Sequence, residues 1–236
     1  MPVNPDDIDD IAAMLGDLYR EAELAITRDI ARHLEQHPGA PTAYADARLD
    51  AVRALRRSAG ALVAALQATS ARELREAVAA GYRLGTRSVL SDIPRAWFAR
   101  SGLGDAAEAA RAEVPQTAAV EALAAALVAD VGDVTANILR DSIDAYRAAA
   151  AGAAVRVLAA GQTRREASAA MWANLVKRGI TGFTDRAGRR WRLSTYVEMA
   201  TRTAVARAAV QGQTDRLASL GIGLAYVSDH AQECPR

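Results

Sequence analysis

The stretch 4-NPDDIDDIAAMLGDLYREAELAITRDIARHL-34 decides the fold class. Asn4 offers a side-chain acceptor to the first free amides of a helix, and Pro5 stands where its missing N–H costs nothing. Asp6, Asp7, Asp9 and Asp10 complement the positive end of the helix dipole. Ile8, Ile11, Leu15, Leu18, Ala22 and Ala25 then recur at three- and four-residue spacing, and Ile26, Ile30 and Leu34 continue a neighbouring stripe. An apolar stripe at helical period is buried against something. The spacing predicts one helix of about 30 residues, roughly 45 Å long, ended by His37-Pro38-Gly39-Ala40-Pro41. Its seam lasts about three heptads, so coiled-coil pairing and packing within a bundle fit equally.

The same period continues along the chain. Thr42 can cap a second helix reaching about Ala68, with Leu49, Val52, Leu55, Leu62, Val63 and Leu66 on its stripe. Ser70 opens a third that runs to about Val89. The run Ser91-Asp-Ile-Pro-Arg-Ala-Trp-Phe98 breaks the pattern, and Gly102 and Gly104 break it again. From Asp105 to about Ala160 the reading is helical, interrupted near Val114-Pro115, with Val120, Leu123, Leu127, Val131, Val134, Ile138, Ile143 and Val155 as the apolar face. Gly132 and Gly152 weaken that helix without ending it. Thr163 and Glu166 form a capping box for a helix to Arg178.

Beyond Gly179 the character changes. Gly182 to Leu193 reads as a β-hairpin with Asp185 to Gly188 in its turn and Phe183 and Trp191 flanking it. Ser194 caps a last helix carrying Tyr196, Met199, Ala200, Thr203, Val210 and Leu217, which ends at Gly221; Ile222 to Val227 reads as a strand. The expected architecture is mainly α: a long-helix bundle over 1–160, followed by a small α+β segment with a β-hairpin over 161–236.

Composition agrees. About a quarter of the 236 residues are alanine, and Lys177 is the only lysine among 29 basic residues, so helix propensity is high throughout. Aromatic residues make up 5%, so burial falls to Ala, Leu and Val. The net charge of +1 implies no global pull toward nucleic acid or membrane. A single cysteine rules out an internal disulfide framework, the N-terminus is acidic where a signal peptide is basic, and no apolar run is long enough to span a membrane. A protein made in the cytoplasm is expected.

Candidate sites are few. Between Gly161 and Arg216 eleven basic residues face four acidic ones, and Arg186, Arg189, Arg190 and Arg192 crowd the hairpin beside Trp191. Arginines interleaved with an aromatic suit phosphate contact with stacking; a solvated arginine-rich surface, or one facing an acidic partner, fits as well. His33 and His37 share a helical face but have no third ligand, and they read as positive charge at a helix C-terminus. Catalytic motifs are lacking: there is no G-x-S-x-G, no H-E-x-x-H and no glycine-rich phosphate loop. Ser228-Asp229-His230 cannot form a relay, because neighbours on a strand point to opposite faces. No catalytic residue and no cofactor is therefore expected. His230 and Cys234, four apart and followed by Pro235, make half of a zinc or disulfide motif, and zinc would need ligands beyond Arg236.

One composite pattern runs through this last segment. It comprises Phe183-Thr-Asp-Arg-Ala-Gly188, Trp191-Arg-Leu193-Ser-Thr-Tyr196-Val-Glu-Met199, Arg202-Thr203, Val227-Ser-Asp-His230 and Cys234-Pro235. As a set it resembles the minor capsid proteins of tailed phages in the Mu gpF-like head-morphogenesis group. There a D-x-x-G-R-x-W hairpin precedes an L-x-x-Y-x-x-M helix, an R-T pair, a V-S-x-H strand end and a C-P-x-C-x-P-W continuation. Leu18, Tyr19 and Asp29 to Arg32 resemble the group's opening helix. The resemblance implies a structural protein inside the phage head, in several copies near the portal vertex, assembled with portal, scaffold and major capsid protein. Packaged DNA is a further implied contact, and no catalytic residue comes with it. It also implies that the chain is cut within its Cys-Pro-x-Cys motif. A nucleic-acid-binding module for packaging or ejection, or the carrier part of an effector with its enzymatic domain beyond Arg236, are the alternatives.

Overall fold

The computed structural model describes residues 3–36, 45–93, 117–160, 182–184 and 188–223, with 163, 166, 169–170 and 173. The elements with described bounds are α1 (Pro5–Gln36), α2 (Ala45–Asp92), α3 (Ala118–Ala160), β1 (Gly182–Thr184), β2 (Arg190–Arg192) and α4 (Leu193–Ser219). The protein is mainly α, and its long helices form a bundle. Helix α2 packs against each of the other three, and α4 does the same.

Helix α1 begins as its sequence requires: Asn4 Oδ1 accepts from the Asp6 amide at 3.2 Å, and Asp6 and Asp7 occupy the first turn. Leu15, Ile26 and Ile30 are buried, with Ile8, Ile11, Leu18 and Ala22 packed against the core edge. Tyr19 lies among them, fully buried. Its hydroxyl hydrogen-bonds with Ser70 of α2 and Thr135 of α3, and burial pushes its pKa above the ordinary value. One phenol thus ties three helices together.

One expected break is absent. The second and third predicted helices are one helix, α2, because Ser70 does not open a helix. Its hydroxyl donates back to the Gln67 carbonyl at 3.4 Å, which lets the residue sit inside a helix, and its side chain is buried. Leu62, placed on the buried stripe by spacing, is 37% exposed. Gly132 and Gly152 leave α3 unbroken, as expected. Residues 94–116, with their predicted aromatic turn and Val114-Pro115 break, and most of the helix predicted to Arg178 lie outside the described residues. The capping box is present: the Glu166 carboxylate accepts from the Thr163 amide at 2.9 Å, and Thr163 Oγ1 accepts from the Glu166 amide at 3.3 Å. The bonds that the Thr163 amide and hydroxyl donate to its carboxylate lower the Glu166 pKa.

The strands pair antiparallel with Phe183 opposite Trp191, and Gly188 takes φ +78° in the connection. Helix α4 ends as its sequence requires. Gly221 adopts φ +71°, its amide donates to the Ala218 carbonyl at 3.0 Å, and the Ile222 amide donates to Leu217 at 2.9 Å. Leu217 and Ile222 close the motif with an apolar contact beside Val89 and Leu220. The strand predicted from Ile222 falls mostly outside the described residues, and Ile222 and Gly223 themselves are not in a strand.

The core is shared across the chain. Leu15, Tyr19, Leu74, Val78, Tyr82, Val131 and Ile138 form one cluster with Leu193, Val197, Val205 and Ala208 of α4. The face α4 buries differs from the one its large residues suggest. Thr203 is exposed and Val210 is 61% exposed, whereas Val197, Thr201, Ala204, Val205, Ala208, Ala209 and Gly212 are buried. Small residues face inward because the partner helix is too close for large ones.

Candidate interaction surface

That closeness is set by three glycines. A Cβ at Gly81 would stand 2.6 Å from the Val205 carbonyl oxygen. One at Gly85 would stand 1.9 Å from the Ala209 carbonyl, and one on Gly212 would stand 2.2 Å from the Tyr82 carbonyl. Real side-chain carbons do not approach so near, so α2 and α4 meet backbone to backbone and only glycine fits at these points. The pairs Gly81 with Val205 and Gly85 with Ala209 advance together, so the two helices run parallel.

A polar cluster lies beside this seam. The Tyr82 hydroxyl donates to Asp215 Oδ2 at 3.0 Å, and Gln211 Nε2 donates to Asp215 Oδ1 at 2.8 Å. Burial, then the hydrogen bond and charge of Asp215, push the Tyr82 pKa up to about 12. Arg216 is buried next to the pair, and burial lowers its pKa. Gln213 Nε2 donates to Ser88 Oγ at 3.0 Å, a further link from α4 to α2.

Helix α1 holds the other side of α4. Ser194 was the expected N-cap, but Arg192 occupies that position and its side chain makes no capping bond. The carboxylate of buried Glu23, from α1, supplies the cap instead. Its Oε1 accepts from the Leu193 amide at 2.9 Å and the Ser194 amide at 3.4 Å, and its Oε2 accepts from Ser194 Oγ at 2.9 Å. The placement of a negative charge on the first amides of a helix is favourable through both hydrogen bonding and the helix dipole. Further along, Arg202 Nε donates to Asp9 Oδ1 at 2.6 Å and its other end to Glu198 at 3.0 Å; the Asp9 bond raises the Arg202 pKa.

The hairpin therefore enters an α4 that is fixed on two sides. Trp191 packs edge-on against Tyr196, with ring centroids 6.2 Å apart, and the Arg189 guanidinium lies 5.6 Å over the Trp191 ring. Strand alternation puts Arg190 and Arg192 on the opposite face, and both are exposed. Of the predicted contact residues, Arg189, Arg190, Trp191 and Arg192 are thus brought together, while Arg186 lies outside the described residues. His230 and Cys234, read from sequence as half of a metal site, also lie outside them, as do the side chains of His33 and His37. Among the described residues no three His, Cys, Asp or Glu side chains are grouped to hold a metal ion. None of the described helices is long and apolar enough to cross a membrane.

Sequence reading missed Glu23, the Asp9–Arg202 bridge and the glycine seam. Only the seam left a local signal, the i, i+4 pair Gly81 and Gly85. The sequence matches the family of phage minor capsid protein 2 over residues 3–236, and the chain belongs to that family. It is a structural protein of the phage capsid, hence a component of the virion, and other virion proteins are its neighbours. No curated protein and no solved structure matches the chain.

Proposed function

We propose that the chain is a head-morphogenesis protein of the Mu gpF-like kind, seated inside the head at the portal vertex in several copies. Its long helices dock against the portal, and the hairpin faces packaged DNA or an acidic partner. The family match over 3–236 supports the structural role. The observation that carries the orientation is the hairpin: Arg190 and Arg192 point away from the bundle while Trp191 and Tyr196 pin the strand to α4. Co-expression with the portal protein of the same phage tests the docking, with a stable complex on size exclusion expected. Two separately eluting proteins, together with virions whose portal vertex lacks this chain, would overturn it.

The nucleic-acid reading rests on the same hairpin. Exposed arginines beside an aromatic ring bind phosphate with a steep salt dependence. Duplex DNA retained at physiological salt, and lost in an Arg190→Glu/Arg192→Glu variant, is the expected result. Unchanged retention in that variant would assign the hairpin to an acidic protein surface. A zinc half-site at His230 and Cys234 belongs to the Mu gpF-like reading, and metal analysis of the purified protein tests it.

A further inference from the structure

Toward the N-terminal end of α2, an open cavity of about 400 Å³ lies against α3, lined by Arg56, Ala136, Arg140, Ile143, Asp144 and Arg147. Buried Ile143 supplies apolar surface to it. Arg140 and Arg147 stand two turns apart on α3, about 10 Å along the axis. Among the described residues Arg147 pairs with Asp144 at 3.2 Å, Arg140 bonds only the neutral Asn137 side chain at 3.4 Å, and Arg56 forms no ion pair. A concave site with three guanidinium groups, one carboxylate and an apolar wall suits carboxylate side chains held in bidentate fashion. It suits a long duplex poorly, because exposed Asp130, Asp133 and Asp141 interrupt the positive charge on the same helix.

The molecule also carries the complementary surface. Asp6, Asp7 and Asp10 in the first turns of α1 are exposed, and none forms an ion pair among the described residues; only Asp9 is engaged, by Arg202. These aspartates cannot reach the groove of their own chain. The Ser58 hydroxyl, two residues from Arg56, donates to Asp29 of α1 at 2.5 Å, so Asp29 is level with the groove. Asp6 lies 23 residues earlier on the same helix, about 35 Å away along its axis. The acidic and basic surfaces sit at opposite ends of one bundle.

We propose that the arginine groove of one copy receives the acidic first turns of α1 from a second copy. The contact is head to tail, so it joins different surfaces of successive copies and builds a ring or a filament rather than a closed pair. It is independent of docking on the portal, and either contact can fail without the other.

Sedimentation velocity of the full chain, over a concentration series at low and at high salt, tests the contact. Association at low salt that weakens as salt is raised is expected, since the charges are exposed. Arg140→Glu/Arg147→Glu and Asp6→Arg/Asp7→Arg/Asp10→Arg each weaken association by about tenfold or more, and mixing the two variants restores it. All five side chains are exposed, and circular dichroism verifies that the helices stay intact. A wild-type chain that stays monomeric at low salt overturns the proposal, as does either variant associating like wild type or a mixture that fails to recover. Loss of duplex-DNA binding in the groove variant with self-association unchanged also overturns it, and would make the occupant a nucleic acid.

Discussion

Against α2, helix α4 presents Val205, Ala209 and Gly212 to a partner whose own glycines let carbonyl groups approach directly. Against α1 it presents charge: Glu23 caps its first amides and Asp9 holds Arg202. The first contact depends on shape and tolerates no added atom. The second depends on a few hydrogen bonds whose strength varies with burial, from the enclosed Glu23 cap to the solvent-facing Arg202 bridge. Two neighbours of one helix are thus secured by different physics, and substitutions separate them.

The seam gives the largest effect. Gly85→Ala drives a methyl into the Ala209 carbonyl, which is backbone and cannot rotate away. A loss of about 3 kcal/mol is expected, seen as a fall in Tm of roughly 10 °C. An unchanged Tm would mean that the helices are not in backbone contact. Glu23→Ala comes next, at about 2 kcal/mol in denaturant unfolding, because it strands buried amides of α4 without a partner. If it costs no more than an exposed substitution, the cap is not formed.

Tyr82 sits between these cases. Its hydroxyl remains protonated in the folded chain to about 12, whereas the unfolded chain ionises near 10.0. The folded state therefore holds the extra proton, so this contribution is full below pH 10 and is lost as pH rises through 12. Tyr82→Phe should cost about 1 kcal/mol at neutral pH and make the alkaline decline in stability shallower. Arg202→Ala should cost least, about 0.5 kcal/mol, shrinking with added salt, because its side chain is 44% exposed. A cost that rivals Glu23→Ala would remove the distinction between the two ends of the α1 contact.

Much of this molecule was legible in its sequence, for identifiable reasons. Helix α1 announces its start through Asn4-Pro5, and α4 announces its end through Gly221. The hairpin follows from its turn residues and flanking aromatics, and Arg190 and Arg192 were found where charge was dense. What failed did so where the deciding interaction is non-local. Ser70 looks like a cap, yet its hydroxyl turns back onto Gln67, and Ser194 yields its capping role to a carboxylate 171 residues away. The buried face of α4 is not marked by its large residues: alanine and glycine are inside while Val210 is out. A seam of small residues has little apolar area per residue and leaves a weak signal even when it sets the helix spacing.

The consequence is that α4, which follows the hairpin in sequence, belongs to the same core as α1, α2 and α3. Native-state hydrogen exchange reads this directly. Amides of α4 around Ala204 to Gly212 and those of α2 around Ala77 to Gly85 should share one opening free energy, equal to that of global unfolding. Exchange of the α4 amides through a cheaper opening, with α2 still protected, would contradict the account.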